Sequence, residues 1–573
     1  MVGRIFDYGG GFYHYFKMTK DDLRDMLRKY YLALSLSGVF IFAVSICLYY
    51  GKRGINPMDH FIVFDGAWRV LCGQIPLRDF NTPNGIVPIL LQALFFKLFG
   101  INWFVYCLSA ALFNGLFSLC VFFVLRLLNA SRAISLFYSL LSGIIFYPPV
   151  GVPFMEQHSF FFILLALAVA LVSGRAKANG RSLYLAWFFV PFIFSLAYFS
   201  KQIPAVFSIP VLVFIFLFMP EKRSRARMLI SLLAGAIFTF CLILISYKVL
   251  PIDPLRLKVY FMELPYNIGL LRAQRLLHGL SVLQICRIFF YPHYLLSGSI
   301  VRMNSFVLVY AGFIIALIIK FLKKSRASGL VKEAFLSIFL LVICNLFIAF
   351  TLHQIENGIP YLFLSLGIIH NLMDRSLISA GFLKHRQLFR LCVASVFFAV
   401  AIFDAAIFNE RINNSRMVNS LSFTRDNDGS RQLPSELRFM SFSVPFYWQP
   451  MRARDLRDVC EFFKNKEDNF FLFGDFSVLY ALTKRPSVNP SLWFHGGLTI
   501  PGFNSDRFTS YEDELLHNFK KLNVKYVVIE NEGITFSRVK LTDFSRLNSF
   551  IGKNTSGLKD FGWFKIIRLK QVL

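Results

Sequence analysis

Ile86-Val-Pro-Ile-Leu-Leu-Gln-Ala-Leu-Phe-Phe-Lys97-Leu-Phe-Gly100 is the stretch on which the topology of this chain turns. Counted as a membrane span, it inverts every loop that follows. At 15 residues it falls short of the roughly 17–25 that a crossing helix needs, and Lys97 stands near its end. It is predicted as a helix on the outer face.

Around it lie the apolar runs read as spans, at about 32–50, 103–127, 132–149, 158–173, 183–199, 203–219, 228–249, 306–322, 334–351, 360–374 and 389–408, of which the fourth and the tenth are marginal in length. With a cytoplasmic N-terminus, the inner loops would carry Arg126 and Arg132, then Arg175, Lys177 and Arg181, then Lys222, Arg223, Arg225 and Arg227. Next come Lys320, Lys323, Lys324, Arg326 and Lys332, and last Arg375, Lys384, Arg386 and Arg390. Each cluster falls at an alternate boundary, as the positive-inside rule requires. The scheme holds only if 86–100 is left out.

Composition agrees. The 573 residues are 56% hydrophobic and 17% aromatic, with 69 Phe and only 16% charged positions. Soluble domains carry about 25% charged residues, so lipid must be the solvent for much of the surface. The net charge of +28 sits in short loops between apolar runs, which points to lipid headgroups and excludes a nucleic-acid partner. The nine Cys form no Cys-x-x-Cys or Cys/His cluster, so neither structural zinc nor a disulfide framework is expected.

The expected fold is an α-helical polytopic membrane protein of about 11 spans with a small α/β domain at its C-terminal end. Residues 1–31 form a cytoplasmic segment whose 19–30 stretch, opening on Thr19 and Asp22, reads as a surface helix. Residues 32–408 form the membrane domain, with long outer loops at 51–101 and 251–305. Residues 409–573 lie outside; strands are expected at 469–475, 524–529 and 564–569 and a helix at 512–521.

Chemistry concentrates in the first outer loop, Asp59-His60-Phe-Ile-Val-Phe-Asp65-Gly-Ala67-Trp-Arg69-Val-Leu71-Cys-Gly73-Gln-Ile-Pro76-Leu-Arg78-Asp79-Phe80-Asn-Thr-Pro83-Asn-Gly85. Three carboxylates stand just beyond the first span. Asp59, Ala67, Leu71, Gly73, Pro76, Arg78, Asp79, Phe80, Pro83, Gly85 and the closing Leu98-Phe99-Gly100 together resemble the first loop of the GT-C glycosyltransferases, specifically the protein O-mannosyltransferase and aminoarabinose-transferase-like group. The resemblance is specific over 55–127 and diffuse beyond; it returns weakly around Asp475, Leu479-Tyr480 and 524–529.

The resemblance implies a transferase that takes a sugar from a polyprenyl-phosphate donor. It implies Asp59 as the catalytic base; where members carry Asp-Glu this chain has Asp59-His60, so Asp65 is the second candidate. A carboxylate suits the step, since a base must take the acceptor hydroxyl proton as the anomeric carbon is attacked. The leaving phosphate calls for Lys or Arg at the membrane surface. Because such a donor is already activated, no cofactor is required, though a divalent metal is compatible with the chemistry.

Arg78, Asp79, Glu156, His158, Lys201 and Gln202 fill the substrate-binding set, with His353 and Glu356 beyond the ninth span. Lys201 lies on the outer face against the charge trend, and a Lys-Gln or Arg-Gln at this place in the family makes it the first choice for the donor phosphate. The plain alternatives are a charge marking the start of a span for Glu156 and an ordinary polar turn for His353, Gln354 and Glu356. Arg256, Lys258, Arg272 and Arg275 in the second long loop suit lipid phosphate and headgroups equally.

The acceptor is a glycan, a lipid-linked saccharide or a protein, and the expected location is a bacterial inner membrane with the C-terminal domain outside. A transporter or lipid-linked glycan flippase is the alternative. It calls for inverted repeats and ionisable groups at the bilayer midplane, whereas the polar interest here lies in loops. A glycan polymerase or ligase would lack the first-loop pattern. Gly9-Gly10-Gly11 has neither the flanking elements nor the Lys-Ser/Thr of a phosphate loop.

Overall fold

The computed structural model describes residues 20–82, 85–173, 181–218, 225–278, 281, 304–322, 328–351, 359–379, 386–415, 432–441 and 451–570. The expected His353, Gln354 and Glu356 cluster, Pro83, Gly9–Gly11 and most of the second outer loop after 278 lie outside the described residues.

All 11 apolar runs form helices: α1 (Lys20–Gly51), α4 (Trp103–Leu127), α5 (Arg132–Ile145), α6 (Met155–Ser173), α7 (Arg181–Ser200), α8 (Gln202–Phe218), α9 (Arg225–Val249), α12 (Asn304–Leu322), α13 (Ser328–Thr351), α14 (Leu362–Ser379) and α15 (Arg386–Ser415). Between them lie α2 (Pro57–Leu71), α3 (Ile86–Phe99), α10 (Pro254–Lys258) and α11 (Leu264–Leu277). The two shortest apolar runs gain length from polar flanks, which helical propensity carries into helices of 19 and 18 residues. The surface helix expected at 19–30 is continuous with the first span, as no Gly or Pro interrupts the chain between Lys20 and Ser37.

Hydrogen bonds sort the helix ends into two groups. At one end, the Ser159 hydroxyl, near the start of α6, donates to the Lys201 carbonyl between α7 and α8 at 3.0 Å. Ser305 N, entering α12, donates to Asp404 Oδ2 near the end of α15 at 2.6 Å. At the other end, Asn371 Nδ2 reaches the Leu128 carbonyl at 2.8 Å, and Arg375 pairs with Glu333 and Arg390 with Asp374. The described basic clusters therefore share an end of the bundle. Midway, buried Asn114 ties three elements, donating to the Ala43 and Gly143 carbonyls at 2.7 and 2.8 Å and accepting from Tyr147 N.

Helix α3, the 86–100 run, does not cross. Gly85 N donates to Ser200 O at 3.0 Å, where α7 ends. Just past its other end, the Trp103 indole donates to Gly51 O at 3.0 Å, where α1 ends. Both ends thus lie at the same end of the bundle, which places α3 along that face rather than through the bundle. Leu90, Leu94 and Leu98 form an exposed stripe at four-residue spacing, while Ile89, Gln92, Ala93 and Phe96 pack inward.

The C-terminal domain holds α16 (Ala453–Lys464), β1 (Asn469–Phe473), α17 (Val478–Leu482), α18 (Asp506–Lys521), β2 (Val524–Glu530), α19 (Ser545–Asn554), β3 (Thr555–Phe561) and β4 (Phe564–Leu569). The sheet order is β1-β2-β4-β3, with β1 and β2 parallel and the other pairs antiparallel. Alternation along the strands splits the core. Phe470, Leu472, Val528 and Ile566 join the cluster that continues into the membrane domain, whereas Phe471, Phe473 and Val527 form a second cluster with Leu515 and Phe519.

Candidate active site

Helix α2 begins at Pro57, whose fixed φ and missing N–H suit the first helical position. Asp59 in its first turn faces the positive end of the helix dipole. Asn56 Nδ2 donates to Asp59 Oδ2 at 3.1 Å, and Asn56 N donates to His60 Nδ1 at 3.2 Å.

A cavity of about 240 Å³ opens beside this turn. Met58, Asp59 and Ile62 form one wall, and Phe154, Met155 and Glu156 at the start of α6 form another. Lys201, Gln202 and Ile203 come from the hairpin between α7 and α8, and Pro265, Ile268 and Arg272 from α11. Trp493, His495 and Leu498 of the C-terminal domain complete it. Lys201 Nζ pairs with Glu156 Oε1 at 3.1 Å, and Glu156 is buried. Arg272 Nη1 donates to the Phe350 carbonyl at 3.3 Å, pinning α11 to the end of α13.

Gln202, Ile203 and Pro265 also line a second, apolar groove of about 740 Å³. Val206, Phe207, Phe261, Leu270 and Phe350 supply its apolar walls. The polar cavity and the apolar groove thus share a boundary.

Four of the predicted residues meet at the polar cavity: Asp59, Glu156, Lys201 and Gln202. Asp65 does not line it. Its carboxylate is fully buried, accepts from Arg69 Nε at 2.8 Å and from the Ser487 hydroxyl at 2.7 Å, and is pushed up in pKa by burial against the opposing pull of Arg69 and Ser487. Arg69 continues to the Asn489 and Ser491 carbonyls at 2.5 and 3.3 Å and lies over the Phe80 ring. This group docks the C-terminal domain on α2.

Arg78 and Asp79 also lie away from the cavity. Asp79 Oδ2 accepts from Ile75 N at 2.7 Å and Arg78 Nε at 2.9 Å, closing a turn in which Leu77 takes a φ of 62°. His158 is buried in the bundle, with Nδ1 2.5 Å from the Tyr147 hydroxyl and its ring against Phe113. Among the described residues no group of three or more His, Cys, Asp or Glu side chains is arranged to hold a metal ion.

Sequence reasoning missed Trp493 and His495, about 430 residues from Asp59, and the acidic pair behind the site. Glu530 Oε2 accepts from Asp475 N and Phe476 N at 2.6 and 3.1 Å, and Oε1 from the Trp563 indole at 3.1 Å. Three N–H donors thus converge on the Glu530 carboxyl group. Asp475, whose Oδ2 accepts from Phe536 N at 2.8 Å, is raised well above the usual carboxylate range by burial, by Glu530 and by Asp59. Ser537, the next residue, touches Met58 Sδ at 3.5 Å, so this turn packs on the α2 tip.

No protein-family model and no curated protein matches the chain. Solved structures do. ArnT from Cupriavidus metallidurans aligns over 94% of this chain and 98% of its own in the apo state, with a TM-score of 0.51 at 11% identity. Bound to undecaprenyl phosphate, it aligns over 94% and 97% with a TM-score of 0.50 at 10% identity. The oligosaccharyltransferase of Archaeoglobus fulgidus, in complex with zinc and sulfate, aligns over 86% and 68% with a TM-score of 0.49 at 13% identity. The chain therefore shares its fold with ArnT, a GT-C-like polytopic membrane architecture, and carries a small α/β domain at its C-terminal end.

Proposed function

We propose that this protein is an inverting glycosyltransferase that moves a sugar from a polyprenyl-phosphate donor to an acceptor hydroxyl, with Asp59 as general base. The observation that carries this is the polar cavity holding Asp59, the Glu156–Lys201 pair and Arg272, walled on one side by an apolar groove. A donor with an apolar chain, a phosphate and a sugar matches that sequence of surfaces: chain in the groove, phosphate at Lys201 and Arg272, sugar in the cavity. The fold shared with ArnT, which binds undecaprenyl phosphate in one structure, supports the same donor class.

In the step proposed, the acceptor oxygen attacks the anomeric carbon from the face opposite the phosphate. The bond from that carbon to the phosphate oxygen breaks, and its electron pair leaves on the phosphate. The hydroxyl proton passes to the Asp59 carboxylate. Lys201 and Arg272 stabilise the charge on the departing phosphate, and Glu156 orients Lys201 through their ion pair. The donor is activated by its phosphate, so the step requires no cofactor and is compatible with a divalent metal. The acceptor class is a glycan, a lipid-linked saccharide or a protein. The membrane proposed is a bacterial inner membrane, and the described basic residues at the end of the bundle opposite the cavity support an orientation with the cavity and C-terminal domain outside.

The test is transfer by the purified full-length chain from short polyprenyl-phosphate sugars. Asp59→Asn is expected to lower kcat by about 10²–10⁴-fold with unchanged thermal unfolding, and Lys201→Ala to weaken binding of the lipid phosphate. Wild-type turnover by Asp59→Asn would sink the base assignment.

A further inference from the structure

The cavity wall farthest along the chain from Asp59 is a hairpin of the C-terminal domain, residues 491–500. Its shape is set by Thr499. The Thr499 hydroxyl donates to the Trp493 carbonyl at 2.6 Å and accepts from His495 N at 3.0 Å. The Ser491 hydroxyl donates to the Thr499 carbonyl at 2.7 Å, and Gly497 N to the Ile500 carbonyl at 2.8 Å. Gly497 turns the tip at a φ of 76°, which a side chain would oppose. The base of the hairpin is tied to α2 through Arg69 and the Ser491 carbonyl. A rigid loop is thereby held at fixed height over Asp59.

Three side chains of this loop reach the cavity: Trp493, buried except at that face, Leu498, and the exposed His495. His495 Nδ1 lies 3.2 Å from the Gly496 carbonyl. A carbonyl only accepts, so Nδ1 carries the proton and Nε2 of the neutral ring is an acceptor. Nε2 has no hydrogen-bond partner among the described residues. An indole, a leucine and one directed acceptor form the surface that a sugar ring recognises, with its C–H face on the apolar groups and a hydroxyl on the nitrogen. The phosphate-binding groups Lys201 and Arg272 belong to the membrane domain, and the cavity has room for one sugar ring and little more.

Resting on the transferase assignment above, we infer that the 491–500 hairpin selects the donor's sugar: Trp493 and Leu498 pack on its ring and His495 Nε2 accepts from one of its hydroxyls. Lipid-phosphate binding and sugar choice then reside in different domains of the chain. The hairpin, not the spanning helices, decides which polyprenyl-phosphate sugar is used.

The experiment measures binding of bare undecaprenyl phosphate and of a panel of short polyprenyl-phosphate donors that differ only in the sugar. Wild type, His495→Ala, Leu498→Ala and Lys201→Ala are compared as full-length proteins. His495→Ala is expected to bind the bare lipid phosphate as wild type does, to lose about tenfold on the preferred donor, the equivalent of one hydrogen bond, and to flatten the ranking of sugars. Leu498→Ala should flatten it as well, while Lys201→Ala weakens every ligand by the same factor. Unchanged donor ranking in both hairpin variants, with a raised KM for the acceptor, would overturn the inference and leave the transferase assignment standing. If wild type binds no glycosylated donor more tightly than the bare lipid phosphate, the transferase assignment falls and the sugar subsite with it.

Discussion

Asp59 and Asp65 are six residues apart on one helix, which turns their side chains about 240° from each other. That rotation separates their roles: Asp59 lines the cavity, and Asp65 is buried with Arg69 and Ser487. Removing Asp65 leaves the Arg69 guanidinium buried without its carboxylate, so Asp65→Ala is expected to cost about 3–5 kcal/mol, read as a lower thermal midpoint in detergent. The folded fraction should keep its transfer rate. An inactive Asp65→Asn of wild-type stability would reverse the two assignments. Asp475 offers a pH test. Its folded pKa is raised, so the unfolded chain ionises first; stability is fully present below the ordinary carboxylate pKa and is lost as pH rises toward the folded value. Asp475→Asn removes that loss and keeps an oxygen for Phe536 N. Its thermal midpoint is expected above wild type at neutral pH, with the difference closing below about pH 4.

Among the elements, α3 bears on the site through its N-cap without lining the cavity. Its N-terminal Gly85 has a φ of 82°, and a Cβ there would stand 2.9 Å from Met155 Cγ, part of the cavity wall. Gly85→Ala is expected to lose about 1–2 kcal/mol from the left-handed backbone and to displace Met155 into the cavity, raising KM for the donor. Wild-type KM in a measurably destabilised variant would show that this wall does not confine the substrate. Helix α11 has the complementary task, carrying Arg272 to the cavity and Leu270 and Ala273 to the groove. The sequence left Arg256, Lys258, Arg272 and Arg275 equivalent, because four basic residues on an amphipathic segment look alike until a neighbour is placed beside one of them. The strand β3 escaped notice for a different reason: five of its seven residues are exposed, and no apolar run marks it.

At the scale of the molecule, the membrane and C-terminal domains share one apolar core and are joined by Trp68 to the Arg485 carbonyl, Gln74 to the Ser487 carbonyl and Asn81 to the Pro490 carbonyl. Arg256 adds an ion pair to Glu514 at 2.6 Å. A fragment of residues 451–573 would expose Phe476, which packs on Phe61 of α2, and Trp493 in the cavity wall. It is expected to aggregate or to bind a hydrophobic dye strongly when expressed alone; a monodisperse fragment that binds none would show that the domains are separable.

Apolar run lengths and the alternating basic loops were enough, without structure, for the helices of the bundle and the placement of α3 outside it, because bilayer thickness and charge asymmetry act on local sequence; alternating strand and helix signals did the same for the C-terminal α/β domain. They also brought Asp59, Glu156, Lys201 and Gln202 to one end of the bundle, since each lies where a span begins or ends. Only the tertiary structure decided that Asp59 rather than Asp65 faces the cavity, that Arg272 joins it, and that Trp493 and His495 arrive from a domain some 430 residues away. Those outcomes depend on helix rotation and interdomain docking, which arise from packing between distant segments and leave no periodic mark along the chain.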